Sequence, residues 1–199
     1  MKRIFFILAF GLNISVFAQL KPIYFVGSTV VQDSTKATSY GIYGKLSGED
    51  LYVLKIYDLD DNLTTTGSYK DQDLKIAHGA FVYYADVNIF NRMNHTSFTL
   101  KGKTRYITGK GNFVDGDQHG RWISFFPDGK IMSVTTYVKG IRHGFYGKYD
   151  RRGKMLVSGN YKLDEKDGEW QYREGRDKEF FINGIKQVAP EKSSKNKSN

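Results

Sequence analysis

The sequence predicts an all-β fold, an elongated antiparallel meander of consecutive β-hairpins joined in a single sheet. The first observation is an aromatic series spaced by 24 residues, at Phe113, Tyr137 and Tyr161. Two further series keep the same spacing: Trp122, Tyr146 and Trp170, and Gly120, Gly144 and Gly168. The third observation is an alternation of apolar and small residues two apart, which is strand periodicity. A fixed period of this kind is typical of an array in which each unit buries its apolar face on its neighbour.

The N-terminal segment 1–18 has the pattern of a signal peptide. Lys2 and Arg3 precede an apolar run from Ile4 to Leu12, and small side chains at Val16 and Ala18 occupy the cleavage positions. The run is shorter than the roughly 20 residues that span a bilayer. We therefore expect export to the periplasm or the medium, cleavage near Ala18, and a soluble mature chain without a transmembrane segment. The alternative is a buried N-terminal strand. The chain has no cysteine, which excludes disulfides and a lipoprotein anchor.

The next elements are less regular copies of the hairpin. The segment Ile23 to Val31 is predicted to be a leading strand. A degenerate first copy starts at about Tyr40, and a second runs through Tyr69. Residues 85–101 then interrupt the period, and we expect either a long loop or a short helix there.

Three regular copies begin at Phe113, Tyr137 and Tyr161. Tight hairpin turns are predicted at Asp128-Gly129 and Arg152-Gly153, each between two strand-like runs. The second kind of turn is assigned to pairs that end in glycine, namely His78-Gly79, His119-Gly120, His143-Gly144 and Asp167-Gly168. Phe180, Phe181 and Asn183-Gly184 indicate a partial closing copy. The repeat domain is thus predicted to cover residues 19–187.

The C-terminal tail 188–199 is rich in Ser, Lys and Asn and is predicted to be a disordered basic segment. The chain carries a formal charge of +9. Lys2 and Arg3 account for two of these charges, and three lysines against one glutamate in the tail account for two more, which leaves +5 on residues 19–187. This excess favours weak contact with anionic lipid or glycan, although a solvated basic surface is the simpler interpretation. It does not indicate nucleic-acid binding.

The repeat residues resemble a known family. The runs Gly109-x-Gly111-Asn112-Phe113, His119-Gly120-x-Trp122 and Asp128-Gly129-Lys130, repeated in the next two copies, resemble the membrane occupation and recognition nexus (MORN) repeat in its bacterial variant. The N-terminal stretch is similar to exported Bacteroidetes-type envelope proteins. The resemblance covers about residues 40–186 without the insertion. It implies a MORN-like single sheet used for interaction, in proteins often labelled YwqK-type antitoxin components, and it brings no reaction.

The polar residues do not converge on a catalytic or metal site. His78, His119 and His143 occupy equivalent positions, but a hairpin advances the chain by about 9.6 Å, whereas zinc ligands lie about 2 Å from the ion. We therefore expect them to serve turns rather than a metal site or a proton relay. The carboxylates Asp58, Asp60, Asp61, Asp115 and Asp117 lack the spacing of a calcium loop. We predict no catalytic residue, no cofactor and no metal.

Aromatic side chains remain as candidates for binding. The candidate interaction surface consists of Trp122, Tyr146, Trp170, Phe125, Tyr149 and Tyr172. The alternative is that these rings only pack the sheet. Trp122 and Phe125 point to opposite faces of an ideal strand, so either a bulge intervenes or both faces carry aromatic rings. We expect a non-enzymatic exported scaffold that binds a protein partner or an envelope component. The alternatives are an adapter for anionic lipid or glycan and an antitoxin-like protein that neutralises a toxin.

Overall fold

The described residues fold as one antiparallel sheet of fourteen strands. We describe it from a computed structural model that covers residues 21–188 except 28 and 47. The predicted signal peptide and almost all of the predicted tail lie outside the described residues. The prediction of an all-β hairpin meander is confirmed, because the strands from β3 to β14 are neighbours in chain order.

The strands in the described part of the chain are short, and none of them exceeds ten residues. They are β1 (Lys21–Val26), β2 (Thr29–Val31), β3 (Ser39–Lys45), β4 (Tyr52–Asp58), β5 (Leu63–Tyr69), β6 (Gly79–Asp86), β7 (Arg105–Val114), β8 (Asp117–Phe125), β9 (Ile131–Val138), β10 (Ile141–Tyr149), β11 (Met155–Lys162), β12 (Glu165–Tyr172), β13 (Asp177–Ile182) and β14 (Ile185–Gln187). A 3-10 turn covers Ser34–Lys36, and one α-helix, α1, covers Val87–Asn94.

The N-terminal end departs from the meander order. The predicted single leading strand is wrong, because the chain turns at Gly27, which has φ +60°, and β1 and β2 pair as a hairpin. The other side of β1 pairs with β3. The first strand therefore lies inside the sheet, and the three-residue β2 forms the edge. At the other end, β13 and β14 confirm the partial closing copy.

Two kinds of turn connect successive strands, and they lie at opposite ends of the strands. The predicted turns at Asp128-Gly129 and Arg152-Gly153 are confirmed, with both glycines at positive φ. The turns at the other end of the strands are two-residue loops in which both residues have positive φ. This geometry matches the twist of the strands. These loops are Asp115-Gly116, Lys139-Gly140, Leu163-Asp164 and Asn183-Gly184.

The assignment of the second turn to the His-Gly and Asp-Gly pairs was wrong. His119-Gly120 lies inside β8, where residues 120–122 face Gly111 alone on β7. His143-Gly144 and Asp167-Gly168 hold corresponding irregular positions inside β10 and β12, and Gly79 is the first residue of β6. These glycines do have positive φ, as expected, but a β-bulge rather than a chain reversal requires it.

The interruption of the period contains a helix. Asp86 caps α1, and its carboxylate accepts hydrogen bonds from the backbone N–H groups of Asn88 and Ile89. Phe90 of the helix packs on Tyr106 at 5.7 Å between ring centroids and on Phe126 at 6.4 Å. The short-helix alternative for residues 85–101 is therefore confirmed, with a loop that leads from it into β7.

Candidate functional site

The two faces of the sheet differ in how their side chains are packed. One face, which we call the ladder face, carries large rings that lie over glycines of neighbouring strands. A Cβ built on Gly67 would lie 2.2 Å from the ring of Phe81, and one built on Gly159 would lie 2.4 Å from that of Trp170. Glycine is thus required at these positions because the rings occupy the space that a side chain would need. We call the reverse side of the sheet the opposite face.

The rings of the ladder face form two groups. The N-terminal aromatic cluster consists of Tyr69, Phe81, Tyr83, Phe113 and Trp122. Phe81 and Phe113 meet edge to face with centroids 4.7 Å apart, and Phe113 meets Trp122 at 5.0 Å. These are the separations at which aromatic pairs add stability beyond the area they bury.

The C-terminal aromatic cluster consists of Tyr146, Tyr161, Trp170, Tyr172 and Phe181. Trp170 is its centre, with 1% of its surface exposed, and its ring centroid lies 5.0 Å from that of Tyr161 and 5.7 Å from that of Tyr146. Burial raises the pKa of Tyr146. The main role of Trp170 and Tyr146 is therefore to pack the sheet.

Thr135 separates the two clusters. It pairs with Trp122 on one side and with Tyr146 on the other. The two tryptophans nevertheless occupy equivalent positions two periods apart. Trp122 donates its indole N–H to the carbonyl of Asn112 at 3.2 Å, and Trp170 donates to that of Asn160 at 3.1 Å. The repeat thus reproduces a hydrogen bond as well as a ring position.

Cations cover part of the ladder face, a feature that sequence reasoning missed. The guanidinium of Arg142 lies 4.1 Å from the ring centroid of Tyr161. The ammonium of Lys166 lies 4.5 Å from Trp170 and 4.7 Å from Phe181, and it donates to the hydroxyl of Tyr172 at 2.8 Å. Arg142 and Lys166 are 24 residues apart, so the period itself carried the signal. Contacts of this kind are stronger where the ring is withdrawn from water, as Trp170 and Phe181 are.

An ion pair holds Arg142 in this position. Its Nε lies 2.8 Å from Oδ1 of Asp164, which also accepts from the backbone N–H of Arg142 at 3.0 Å. The hydrogen bond from the Arg142 side chain holds the pKa of the Asp164 carboxyl below its ordinary value. The β11–β12 turn therefore holds a cation of the preceding hairpin over Tyr161 of its own hairpin.

The six residues predicted to form an interaction surface are divided between the two faces. Trp122, Tyr146, Trp170 and Tyr172 lie on the ladder face. Phe125 lies on the opposite face beside Lys110, whose ammonium is 5.7 Å from the ring centroid. Tyr149 lies there too, with its hydroxyl 3.2 Å from the position that a Cβ on Gly147 would take. Both faces therefore carry aromatic rings, and a register shift at Ser124/Phe125 adds a bulge.

Apolar side chains of the opposite face are exposed at one end of the strands. Beside the two-residue turns, five apolar residues are between 39 and 69% exposed. We call them the exposed apolar row; they are Val114, Val138, Ile141, Ile182 and Ile185. Val138 pairs with Ile141 across one turn, and Ile182 pairs with Ile185 across another. Lys162 and Glu165 occupy the equivalent positions at the β11–β12 turn and interrupt the row.

The histidines and carboxylates lie in separate local contacts. Nδ1 of His78 accepts from the backbone N–H of Asp115 at 3.3 Å, whereas His119 and His143 are exposed on strands. Asp58 binds the backbone N–H groups of Asp60 and Asn62 within its own turn. In the described part of the chain, no three His, Asp or Glu residues are grouped so that they could hold a metal ion.

The phenol of Tyr40 has a strongly shifted pKa. Its hydroxyl donates to the Asp61 carboxylate at 2.8 Å, and this hydrogen bond raises the pKa of Tyr40 to about 12. The Tyr40 ring stacks on Tyr57 with centroids 5.4 Å apart. These contacts tie β3 to the β4–β5 turn and do not create a reactive group, because a phenol with a raised pKa is a weaker nucleophile at neutral pH.

Comparison with known proteins adds no assignment. The chain matches no protein-family model, no curated protein and no solved structure. The similarity of its repeats to the MORN family therefore stays a prediction. Within residues 21–188, apart from 28 and 47, no helix has the length and apolar character needed to cross a membrane.

Proposed function

We propose that this chain is a non-enzymatic, exported repeat scaffold of the MORN type that binds a protein partner of the cell envelope through the opposite face of its sheet. One observation carries the proposal: the ladder face is filled by the protein's own rings and cations, whereas the opposite face keeps the exposed apolar row. Exposed apolar side chains that recur at the same end of successive strands are characteristic of a binding surface.

The geometry of the row supports a protein rather than a small molecule as the ligand. Its members lie at three of the four hairpins that have two-residue turns, and successive hairpins lie about 9.6 Å apart. A surface of this length suits an extended partner with several apolar anchors, each of which removes one exposed side chain from water. Because the row lies at the strand ends, a partner can also approach it from beyond the turns.

A pull-down from envelope fractions tests the proposal. The full mature chain is compared with the double variant Val138→Lys, Ile141→Lys, which places charges in the middle of the row. Leu59→Lys is the matched control, because Leu59 is 64% exposed in a turn outside the row. We expect one partner to be recovered with the wild type and with the control, and at least tenfold less of it with the double variant. Recovery of no stable partner, or equal recovery with all three chains, would contradict the proposal.

The export part of the proposal has its own measurement. Expression of the full chain in a Gram-negative host, followed by fractionation and N-terminal sequencing, reports where the mature chain lies and where it begins. We expect a periplasmic or secreted product that starts close to Gln19. A cytoplasmic product that retains Met1 or Lys2 would refute export while leaving the binding surface to be judged by the pull-down.

A further inference from the structure

A cleft lies at the end of the strands remote from the exposed apolar row, where the inserted segment leads into β7. Its volume is about 650 Å³, within the range of small-molecule sites. It is enclosed by the end of the inserted loop, by β6 and β7, and by the β8–β9 turn. The lining residues on which the argument depends are Tyr84, Lys101, Lys103, Arg105, Lys110 and Phe125.

The charge of this cleft is strongly positive. Among the described residues that line it, four are cationic and Asp128 is the one carboxylate. That carboxylate is already engaged, because it lies 3.2 Å from the ammonium of Lys130 and accepts from the backbone N–H of the same residue. Among the described residues, no carboxylate lies within 4.0 Å of Lys101, Lys103 or Lys110. Three ammonium groups thus face one cleft without counter-charges.

Arg105 adds a guanidinium whose hydrogen bonds are incomplete. One terminal nitrogen reaches Asp58 at 3.4 Å, and the other reaches the carbonyl of Tyr84 at 3.4 Å. Its Nε is buried and has no acceptor within the described residues. A guanidinium has five N–H donors and pairs well with a planar or tetrahedral oxyanion. The residue is therefore both an anchor of the cleft wall and an unsatisfied donor.

Aromatic rings form the apolar part of the cleft, and the insertion holds some of them in place. Phe125 lies beside Lys110, and Tyr84 lies on the same face two strands away. Phe126, which also lines the cleft, is 9% exposed because Phe90 and Phe98 of the insertion pack against it. The cleft is thus preorganised by the segment that breaks the repeat, which reduces the entropy lost on binding.

We propose that this cleft binds an acidic sugar, a pyranose ring that carries a carboxylate or a phosphate. The anionic group meets Lys101, Lys103 and Lys110, and the C–H face of the ring packs against Phe125 and Tyr84. A concave site that combines cations with aromatic rings suits such a ligand, because neither feature alone distinguishes a charged sugar from an inorganic anion or a neutral glycan. The site does not depend on the scaffold proposal, since it shares no residue with the exposed apolar row.

Isothermal titration calorimetry with four probes tests this inference on the full mature chain. The probes are trigalacturonate, a neutral trisaccharide with the same number of rings, glucose 6-phosphate, and vesicles that contain phosphatidylglycerol. The variants are Lys103→Gln and Lys110→Gln, with Lys148→Gln as the control, because Lys148 is an exposed lysine on the ladder face. Far-UV circular dichroism and thermal melts verify that each variant remains folded.

We expect trigalacturonate or glucose 6-phosphate to bind while the neutral trisaccharide does not, and the stronger of the two identifies carboxylate or phosphate as the preferred group. Each cleft variant should raise the Kd about tenfold, as expected for one charge-assisted contact. Lys148→Gln should leave the Kd unchanged. The proposal fails if no acidic sugar binds, if the neutral sugar binds equally well, if only the vesicles bind, or if the control weakens binding as much as the cleft variants.

Discussion

Replacing Gly159 by alanine should destabilise the protein through a single clash. The new Cβ would lie between 2.4 and 2.6 Å from three atoms of the Trp170 indole, so the ring must move about 1 Å to reach an ordinary contact distance of 3.4 Å. Overpacking of this kind costs about 1–3 kcal/mol. The displaced indole also weakens its 3.1 Å hydrogen bond to Asn160, a loss of about 1 kcal/mol.

A smaller effect acts in the opposite direction. Alanine restricts the unfolded chain more than glycine does, which stabilises the folded state by about 0.4–1 kcal/mol. We therefore expect Gly159→Ala to lower the free energy of unfolding by about 2–3 kcal/mol. For a domain of this size the corresponding fall in Tm is about 4–12 °C. Urea denaturation followed by circular dichroism and by tryptophan fluorescence measures both the loss and the change at the indole.

Two further variants separate the clash from a general effect of the methyl group. Gly109→Ala is the control, because the nearest atom to its Cβ is a backbone oxygen at 3.2 Å and no ring overlies it; we expect a change below about 1 kcal/mol. In a Trp170→Phe background the clash is reduced, so Gly159→Ala should cost less than half of what it costs in the wild type. An equal cost in both backgrounds, or no cost in the wild type, would refute this reasoning.

The remaining predictions concern charges placed over rings and carboxylates. The pKa of Asp164 is depressed in the folded state, so its contribution to stability is present above the ordinary value of 3.8 and is lost as pH falls through the lower folded value. The Tm of the wild type should therefore fall more steeply below pH 4 than that of Asp164→Asn in thermal melts, and parallel curves would contradict the role of Arg142. Lys166→Met should lower the unfolding free energy by about 1 kcal/mol in urea, and an unchanged midpoint would show that only its methylenes matter. Asp61→Asn should return the pKa of Tyr40 from about 12 towards 10.0 in an NMR titration of the tyrosine Cζ signals, and a pKa that stays near 12 would count against the hydrogen bond.

Much of the fold could be predicted from spacing because each repeat interacts mainly with its neighbours along the chain. Phe113, Tyr137 and Tyr161 mark the period, and the hairpins follow from it. The turns were harder to locate. Leu163-Asp164 forms a two-residue loop with both residues at positive φ, yet neither residue is a glycine that would announce it. The conspicuous glycines, such as Gly144, lie in bulges instead, where they make room for the change of register.

The candidate surfaces could be predicted only in part, because face assignment depends on where bulges occur. One extra residue in a strand reverses which side its following residues occupy. Met132 is the extra residue of such a shift in β9, so Ile131 and Ser133 lie on opposite faces although they are two residues apart. The cleft was also not predictable from the sequence, since its lining combines the end of the insertion with β6, β7 and the β8–β9 turn, and the insertion is held there by Phe90 and Phe98 packing on Phe126.

The position of β1 gives the sheet a direction-dependent resistance to mechanical force. Within the described residues, the last strand β14 pairs only with β13, so a pull on that end opens hairpins one after another. Each 24-residue unit then releases about 80 Å of chain. A pull on Lys21 loads a strand that is paired on both sides at Tyr24 and Phe25, because β1 lies between β2 and β3. The C-terminal end therefore peels one ladder at a time, whereas the N-terminal end must shear two ladders at once. Tension transmitted through the N-terminal end is borne by more hydrogen bonds than tension at the C-terminal end.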